Sequence, residues 1–130
     1  MRFVLSKRPG KLGNTHKEVN VAFKVLFLAH APDADGKRDR SVIDTGMYQL
    51  FSIVVKDQAE ALEVCGDCVT RENIHAVVLC PGFTHNDVAE IARLVGRDVA
   101  VSVARGDGPS GRASREARKR AGYLTKGTGI

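Results

Sequence analysis

The chain has 130 residues, of which 43% are hydrophobic and 27% charged, and this composition is ordinary for one globular domain. No apolar run approaches the roughly 20 residues of a membrane-spanning helix, and the apolar run at residues 3–5 is too short for a signal peptide. Three cysteines are an odd number, which predicts reduced thiols and a cytoplasmic protein without a membrane partner.

The net charge of +5 is distributed unevenly along the chain. Residues 1–20 carry +4, residues 21–104 carry −4 and residues 105–130 carry +5. The basic charge therefore belongs to the two ends, and the high pI does not indicate a domain surface that binds polyanions. We predict a basic amino-terminal arm over residues 1–20, an α/β domain over 21–107 and a basic flexible tail over 108–130.

Four apolar segments alternate with more polar ones in the middle of the chain. The predicted strands are residues 21–29, 48–55, 74–80 and 99–104. A short helix is predicted over 37–45, and the next two helices follow Asp57 and Thr84. Each of these two residues has an acidic residue three positions later, which is the pattern of a capping box.

Helix-length crossovers between apolar strands predict a single small α/β domain. We expect a four-stranded, mostly parallel sheet in the arrangement β-α-β-α-β-α-β, with the helices packed on it. The expected strand order is flavodoxin-like, 2-1-3-4, which places the first strand between the second and the third.

Cys65 and Cys68 have the spacing of redox and zinc-binding pairs. A redox pair normally lies at a helix amino terminus, where the helix dipole lowers the thiol pKa. These cysteines instead lie two turns inside the helix that follows Asp57, on its apolar face. A zinc site needs two further ligands, and the nearest, Cys80 and His85, lie on another element. We therefore predict core cysteines, no metal site and no cofactor.

The turn at residues 80–85 leaves the third strand at its carboxyl end and enters a helix. Ligands of parallel sheets bind outside this edge, and free amides at the start of the helix point toward it. Gly82 permits close approach to the backbone, and His85 titrates near neutral pH. The alternative is a plain Pro-Gly turn followed by a helix cap. We predict that this turn binds a small anionic ligand through Gly82, Phe83, Thr84 and His85.

Further polar residues are expected at the same edge, because the first strand is predicted to be parallel to the third. The loop after the first strand carries His30, Asp33 and Asp35, which suit metal binding or acid–base chemistry. Solvated loop acids are the favoured interpretation of the two aspartates. Arg105, just past the fourth strand, is placed to hold an anion. We include Asp33, Asp35 and Arg105 in the predicted binding site.

Cys80 and His85 are the candidate nucleophile and base if the protein is an enzyme. The sequence offers no third group to orient the histidine, which disfavours covalent catalysis. The common nucleotide-binding and hydrolase motifs are also missing from the chain. Whether the domain catalyses a reaction therefore stays open.

Several stretches resemble those of a family of small uncharacterised bacterial α/β proteins, a domain of unknown function. They are residues 31–35, 40–45, 55–57 and 78–85. The last stretch is similar to a Cys-Gly-Gly-Phe-Gly-His pattern, from which Pro81 and Thr84 depart. The resemblance covers about residues 21–107 and implies no activity. It places four residues at one loop: Cys80, Gly82, Phe83 and His85.

Three functions are consistent with the sequence. The favoured one is binding of a small anionic molecule at the strand ends, with or without catalysis. The second is a module that binds nucleic acid or a protein through the basic tail. The only aromatic residue of this tail is Tyr123, and one aromatic side chain is too few for base stacking. The third is a structural subunit of a homo-oligomer, because the sheet has two edges to cover.

Overall fold

A computed structural model of the chain describes residues 2–7, 21–106 and 108–123. The strands are β1 (Arg2–Lys7), β2 (Phe23–His30), β3 (Asp39–Asp44), β4 (Tyr48–Val55), β5 (Ala76–Leu79) and β6 (Ala100–Val103). The helices are α1 (Gln58–Glu72), α2 (His85–Val95) and α3 (Gly111–Arg120), and a 3₁₀ turn, Gly108–Ser110, precedes α3. The predicted α/β class is confirmed.

The strands form one sheet in the order β1-β3-β4-β2-β5-β6. Strands β4, β2, β5 and β6 are mutually parallel, and they correspond to the four predicted strands in the predicted order. The prediction of four strands is wrong, because β3 pairs antiparallel with β4 and β1 pairs parallel with β3. The segment predicted as a basic arm therefore contains a strand, while residues 8–20 lie outside the described part.

The helix predicted over 37–45 is also wrong, since strand β3 occupies this region. Val42 is buried while the adjacent Ile43 is 48% exposed, which is the two-residue alternation of a strand. β-Branched residues such as these favour a pleated conformation over a helix. The chain then turns at Gly46, where φ is 105°, and Asp44 accepts a hydrogen bond from the Gly46 N–H at 2.8 Å. The connection from β2 to the parallel strand β4 therefore contains strand β3, which forms a hairpin with β4, in place of the predicted helix.

Helices α1 and α2 pack together on one face of the sheet. The Asp57 side chain caps α1 by accepting from the Glu60 N–H at 2.9 Å, and Thr84 and Asp87 form a complete capping box on α2. The core is formed by every second residue of the central strands and by the sheet-facing residues of both helices. Its largest fully buried side chains include Leu26, Leu28, Ile53, Val55, Val77, Leu79 and Ile91. Among the described helices, none is long and apolar enough to cross a membrane.

Helix α3 lies in the region predicted as a flexible tail. Within this region, Gly111–Arg120 form a regular helix of ten residues. None of its side chains is fully buried, but Ser114, Ala117 and Arg118 line a cleft together with residues at the carboxyl ends of β2 and β5. This region of the chain therefore supplies one wall of the candidate functional site.

Candidate functional site

A cleft of about 620 Å³ lies between the carboxyl edge of the sheet and helix α3. Its sheet side consists of the ends of β2 and β5 and the turn that follows β5: Ala29, His30, Cys80, Pro81 and Gly82. Its other wall consists of Ser114, Ala117, Arg118, Ala121 and Tyr123. The volume is within the range of roughly 300–1,000 Å³ that is usual for small-molecule sites.

The position of this cleft follows from the strand order. From β2 the chain moves toward β3 and β4 on one side of the sheet, whereas from β5 it moves to β6 on the other. The connections therefore leave a crevice between the carboxyl ends of β2 and β5, where open α/β sheets bind their ligands. The sequence predicted this edge of the sheet.

His30, the last residue of β2, forms part of the cleft. Its half-buried ring lies 4.0 Å from the ring of Phe83, measured between centroids. Burial lowers the pKa of His30 below its ordinary value, and the charges of Asp87 and Asp57 oppose this shift only in part. The imidazole is therefore neutral at pH 7, with one nitrogen a donor and the other an acceptor.

The turn after β5 places its residues at different depths. Gly82 lines the cleft. Phe83 is 5% exposed and packs in the core beneath His30, so it supports the site from behind. The Phe83 N–H donates to the carbonyl of Cys80 at 3.4 Å, which closes the turn.

The anion cradle predicted at the amino terminus of α2 needs correction. The Thr84 N–H donates to the Asp87 carboxylate at 3.0 Å, and the Asp87 N–H donates to the Thr84 hydroxyl at 3.0 Å. The capping box thus occupies the Thr84 amide with a carboxylate, which also repels an anion at this helix end. Thr84 and His85 are exposed and do not line the cleft. The imidazole that shares the cleft with Cys80 is His30 and not His85.

The two predicted acidic residues after β2, Asp33 and Asp35, lie in a loop that contains local hydrogen bonds. Asp35 accepts from the Lys37 N–H at 2.9 Å, and the Asp33 carbonyl accepts from the Arg38 guanidinium at 3.1 Å. Both aspartates are exposed and neither lines the cleft, and the same holds for Arg105. Among the described residues, no group of three His, Cys, Asp or Glu side chains is arranged to hold a metal ion.

The wall from α3 contains the residues that sequence reasoning missed. Ser114, Ala117, Arg118 and Ala121 recur at the spacing of one helical face, and Tyr123 follows the helix end. Arg118 is half-buried and is the one charged side chain among the described lining residues. The signal in the sequence was this stripe of small residues beside Arg118, but only the fold reveals what the stripe faces.

The Cys65–Cys68 pair lies in the core, as predicted. Cys65 is 0% and Cys68 5% exposed, and both belong to the buried cluster under α1. Burial raises the pKa of Cys65 to about 12 and that of Cys68 to about 11. Thiols with such pKa values are inert at neutral pH, which agrees with a structural role.

Comparison with known families identifies one match: residues 23–119 match the model of a Family of unknown function (DUF6506). Because the match covers more than half of the chain, this protein belongs to that family. The match extends past residue 107 and includes most of α3, so the helix that walls the cleft is largely within the family's domain. Neither the curated proteins nor the solved structures contain a match.

Proposed function

We propose that this member of the family binds a small organic anion in the cleft between β2, β5 and α3. The observation that carries the proposal is Arg118, a half-buried cation in a cleft that has no acidic lining residue among those described. A guanidinium in such a position recognises carboxylate or phosphate groups through paired hydrogen bonds.

The rest of the lining defines the ligand further. Ala29, Pro81, Ala117 and Ala121 contribute small apolar surfaces, which suit an apolar body next to the anionic group. Neutral His30 offers the ligand either a donor or an acceptor, because its Nδ1 is buried, and the Tyr123 hydroxyl offers both. A carboxylate or phosphate on a short aliphatic or aromatic body has the chemistry that these groups recognise.

The end of α3 is compatible with an anion despite its dipole. Unpaired carbonyls at a helix carboxyl terminus repel negative charge. Here the Arg118 carbonyl accepts from the Tyr123 N–H at 2.9 Å and the Ala117 carbonyl from the Ala121 N–H at 3.0 Å. Because these carbonyls are already hydrogen-bonded, the Arg118 side chain dominates the local charge.

Our proposal is for binding and not for catalysis. Cys80 and His30 share the cleft, but Nδ1 of His30 is buried and has no hydrogen-bond partner among the described residues. A nucleophile–base pair needs a third group that orients the imidazole.

We also place the protein in the cytoplasm, which agrees with its three free cysteines.

A panel of anions tests the proposal by thermal shift with the full chain. The panel consists of inorganic phosphate, benzoate and straight-chain monocarboxylates, and benzamide serves as the uncharged analogue of benzoate. We expect at least one anion to raise the Tm in proportion to the logarithm of its concentration above saturation, with no effect of benzamide.

Arg118→Gln and Arg115→Gln form a matched pair of variants for this assay. Arg115 is exposed on the same helix and does not line the cleft. We expect Arg118→Gln to weaken binding roughly tenfold or more, and Arg115→Gln to bind as the native chain does. Equal loss in both variants would instead support the nucleic-acid alternative, in which the whole basic helix acts. No shift with any anion, or full binding by Arg118→Gln, overturns the proposal.

A further inference from the structure

The two ring nitrogens of His30 have different environments. Nδ1 is buried and has no hydrogen-bond partner in the described part of the chain. Nε2 is neither buried nor hydrogen-bonded to any described residue. The ring lines the cleft, and Phe83, which packs in the core, covers it from behind with 4.0 Å between the ring centroids. Nε2 is therefore reached from the cleft.

This difference selects one tautomer of the neutral ring. Burial lowers the pKa of His30, so the imidazole is neutral at pH 7 and carries its proton on one nitrogen only. Orphaned buried N–H groups are rarer in proteins than under-satisfied acceptors. The bare nitrogen is therefore the buried Nδ1, and the proton is on Nε2. His30 thus presents an N–H donor to the cleft.

This donor and the Arg118 guanidinium lie on opposite walls of the cleft. His30 ends β2 on the sheet side, whereas Arg118 belongs to α3. A guanidinium engages both oxygens of a carboxylate at once. The donor of His30 then lacks an acceptor unless the ligand carries another oxygen. A cleft of about 620 Å³ has room for a ligand that reaches both walls.

We infer that the ligand is an acid whose body carries a second, uncharged oxygen acceptor, such as the carbonyl of a keto acid, and that the Nε2–H of His30 selects it. The inference rests on the anion binding proposed above and specifies the class of anion. A carbonyl oxygen that enters a cleft without a donor loses its hydrogen bonds to water. The donor of His30 therefore decides whether a keto acid or its alkyl counterpart binds more tightly.

Calorimetric titration of the full chain at neutral pH tests the inference with pairs of acids that differ only in a carbonyl group. The pairs are pyruvate with propionate, levulinate with valerate, and para-acetylbenzoate with para-ethylbenzoate, in which the carbonyl lies progressively farther from the carboxylate. We expect at least one keto acid to bind roughly tenfold or more tightly than its alkyl counterpart. Equal or weaker binding of every keto acid overturns the inference and leaves the proposed anion binding intact. No binding of any acid overturns both.

His30→Leu and His30→Gln locate the donor. Leucine removes the donor and keeps an apolar contact with Phe83, whereas glutamine retains an N–H donor at the end of its side chain. In the pair with the largest difference, we expect His30→Leu to reverse the preference and His30→Gln to retain part of it, both with unchanged circular dichroism spectra. Arg118→Gln should weaken both acids of that pair alike. A keto-acid preference that survives in His30→Leu assigns the carbonyl to another group, such as the Tyr123 hydroxyl, and overturns the inference.

The tautomer of His30 in the free chain provides a second readout that needs no ligand. A proton–nitrogen correlation spectrum distinguishes protonated from bare ring nitrogens, and the signals of His30 are those that disappear in His30→Gln. We expect a protonated Nε2 and a bare Nδ1 in the native chain. The opposite tautomer overturns the inference, because His30 would then accept a hydrogen bond from the ligand and not donate one.

Discussion

The carboxylate of Glu60 accepts a hydrogen bond from the backbone N–H of Gly36 at 2.9 Å, which ties the loop after β2 to the first turn of α1. Its other oxygen accepts from the Lys56 N–H at 2.9 Å. The sequence pattern predicted that Glu60 would bond back to the amide of Asp57, as in a capping box. Glu60 instead serves two amides outside the helix, so one side chain fixes two segments at the edge of the core.

Glu60→Ala is therefore expected to destabilise the fold by about 1–3 kcal/mol, because two backbone N–H groups lose a charged acceptor. Glu63→Ala, at an exposed position of the same helix, should change the free energy of unfolding by less than about 0.5 kcal/mol. Urea denaturation of the two variants measures the difference. Equal effects would show that the contact of Glu60 with the loop is not responsible.

Gly36→Ala tests the same junction from the loop side. A Cβ atom at Gly36 would lie 2.9 Å from Cγ2 of Val64 and 3.3 Å from the Glu60 carboxylate, so the loop must shift outward. We expect a loss of about 1–3 kcal/mol, as for other overpacked sites. Gly66→Ala is the control, because its Cβ would meet Leu94 at an ordinary 3.8 Å and alanine favours a helix interior. It should stabilise, and a loss there as large as at Gly36 would contradict the steric argument.

His30 makes the stability of the fold depend on pH. Burial lowers its pKa from the ordinary value of 6.5, so the unfolded chain binds the proton at a higher pH than the folded chain. The free energy of unfolding should therefore fall as the pH decreases from about 6.5 toward the lowered pKa, and should not change through this group above 6.5.

His30→Gln removes this contribution, and its stability should decrease less than that of the native chain over the same pH range. His85→Gln serves as the control, because His85 is exposed. Denaturant titrations at a series of pH values give the comparison. An unchanged pH dependence in His30→Gln would show that folding does not shift the pKa of His30.

Local interactions explain which parts of this fold the sequence could predict. The caps at Asp57 and Thr84 bond to residues three positions away, so both helix starts are visible in the sequence. Strand β3 instead pairs with another strand, so that Val42 lies opposite Phe51. The β-branched run of β3 is too short for its hydrophobic periodicity to distinguish a strand from a helix. The pairing of β1 with β3 is similarly non-local.

The candidate site likewise contains residues that the sequence could predict and residues that it could not. Gly82 was predictable, because any parallel sheet directs the turn after a strand to its carboxyl edge. Arg118 and Tyr123 come from a segment with no large apolar stripe, and the sequence does not show where α3 lies relative to the sheet. The Thr84 amide was misjudged, because a capping box satisfies locally the same amide that an anion would need.

The three cysteines should differ in reactivity toward an aromatic disulfide reagent. The pKa of Cys65 is raised to about 12 and that of Cys68 to about 11 by burial, whereas Cys80 is half-buried at the cleft. At a pH of about 8 we expect one thiol to react in the native chain and the other two only after unfolding. Cys80→Ser should remove the fast reaction, and a remaining fast thiol would show that α1 opens.

Removal of residues 108–130 separates stability from binding. Helix α3 has no fully buried side chain, so its loss removes little apolar contact and the Tm should change by no more than a few degrees. The same truncation removes half of the cleft lining, including Arg118. We therefore expect the truncated chain to keep its fold and to lose the stabilisation by anions that the full chain shows.

The Tm of the truncated chain should be compared with that of Arg118→Gln. Each is measured with and without the anion that gives the largest Tm shift for the native chain. If α3 acts only as the wall that carries Arg118, the two variants should lose binding to a similar degree. Anion binding that survives truncation would locate the site away from α3. A large drop in Tm without ligand would show that α3 packs on the domain more tightly than its exposed side chains indicate, because only buried apolar area contributes on that scale.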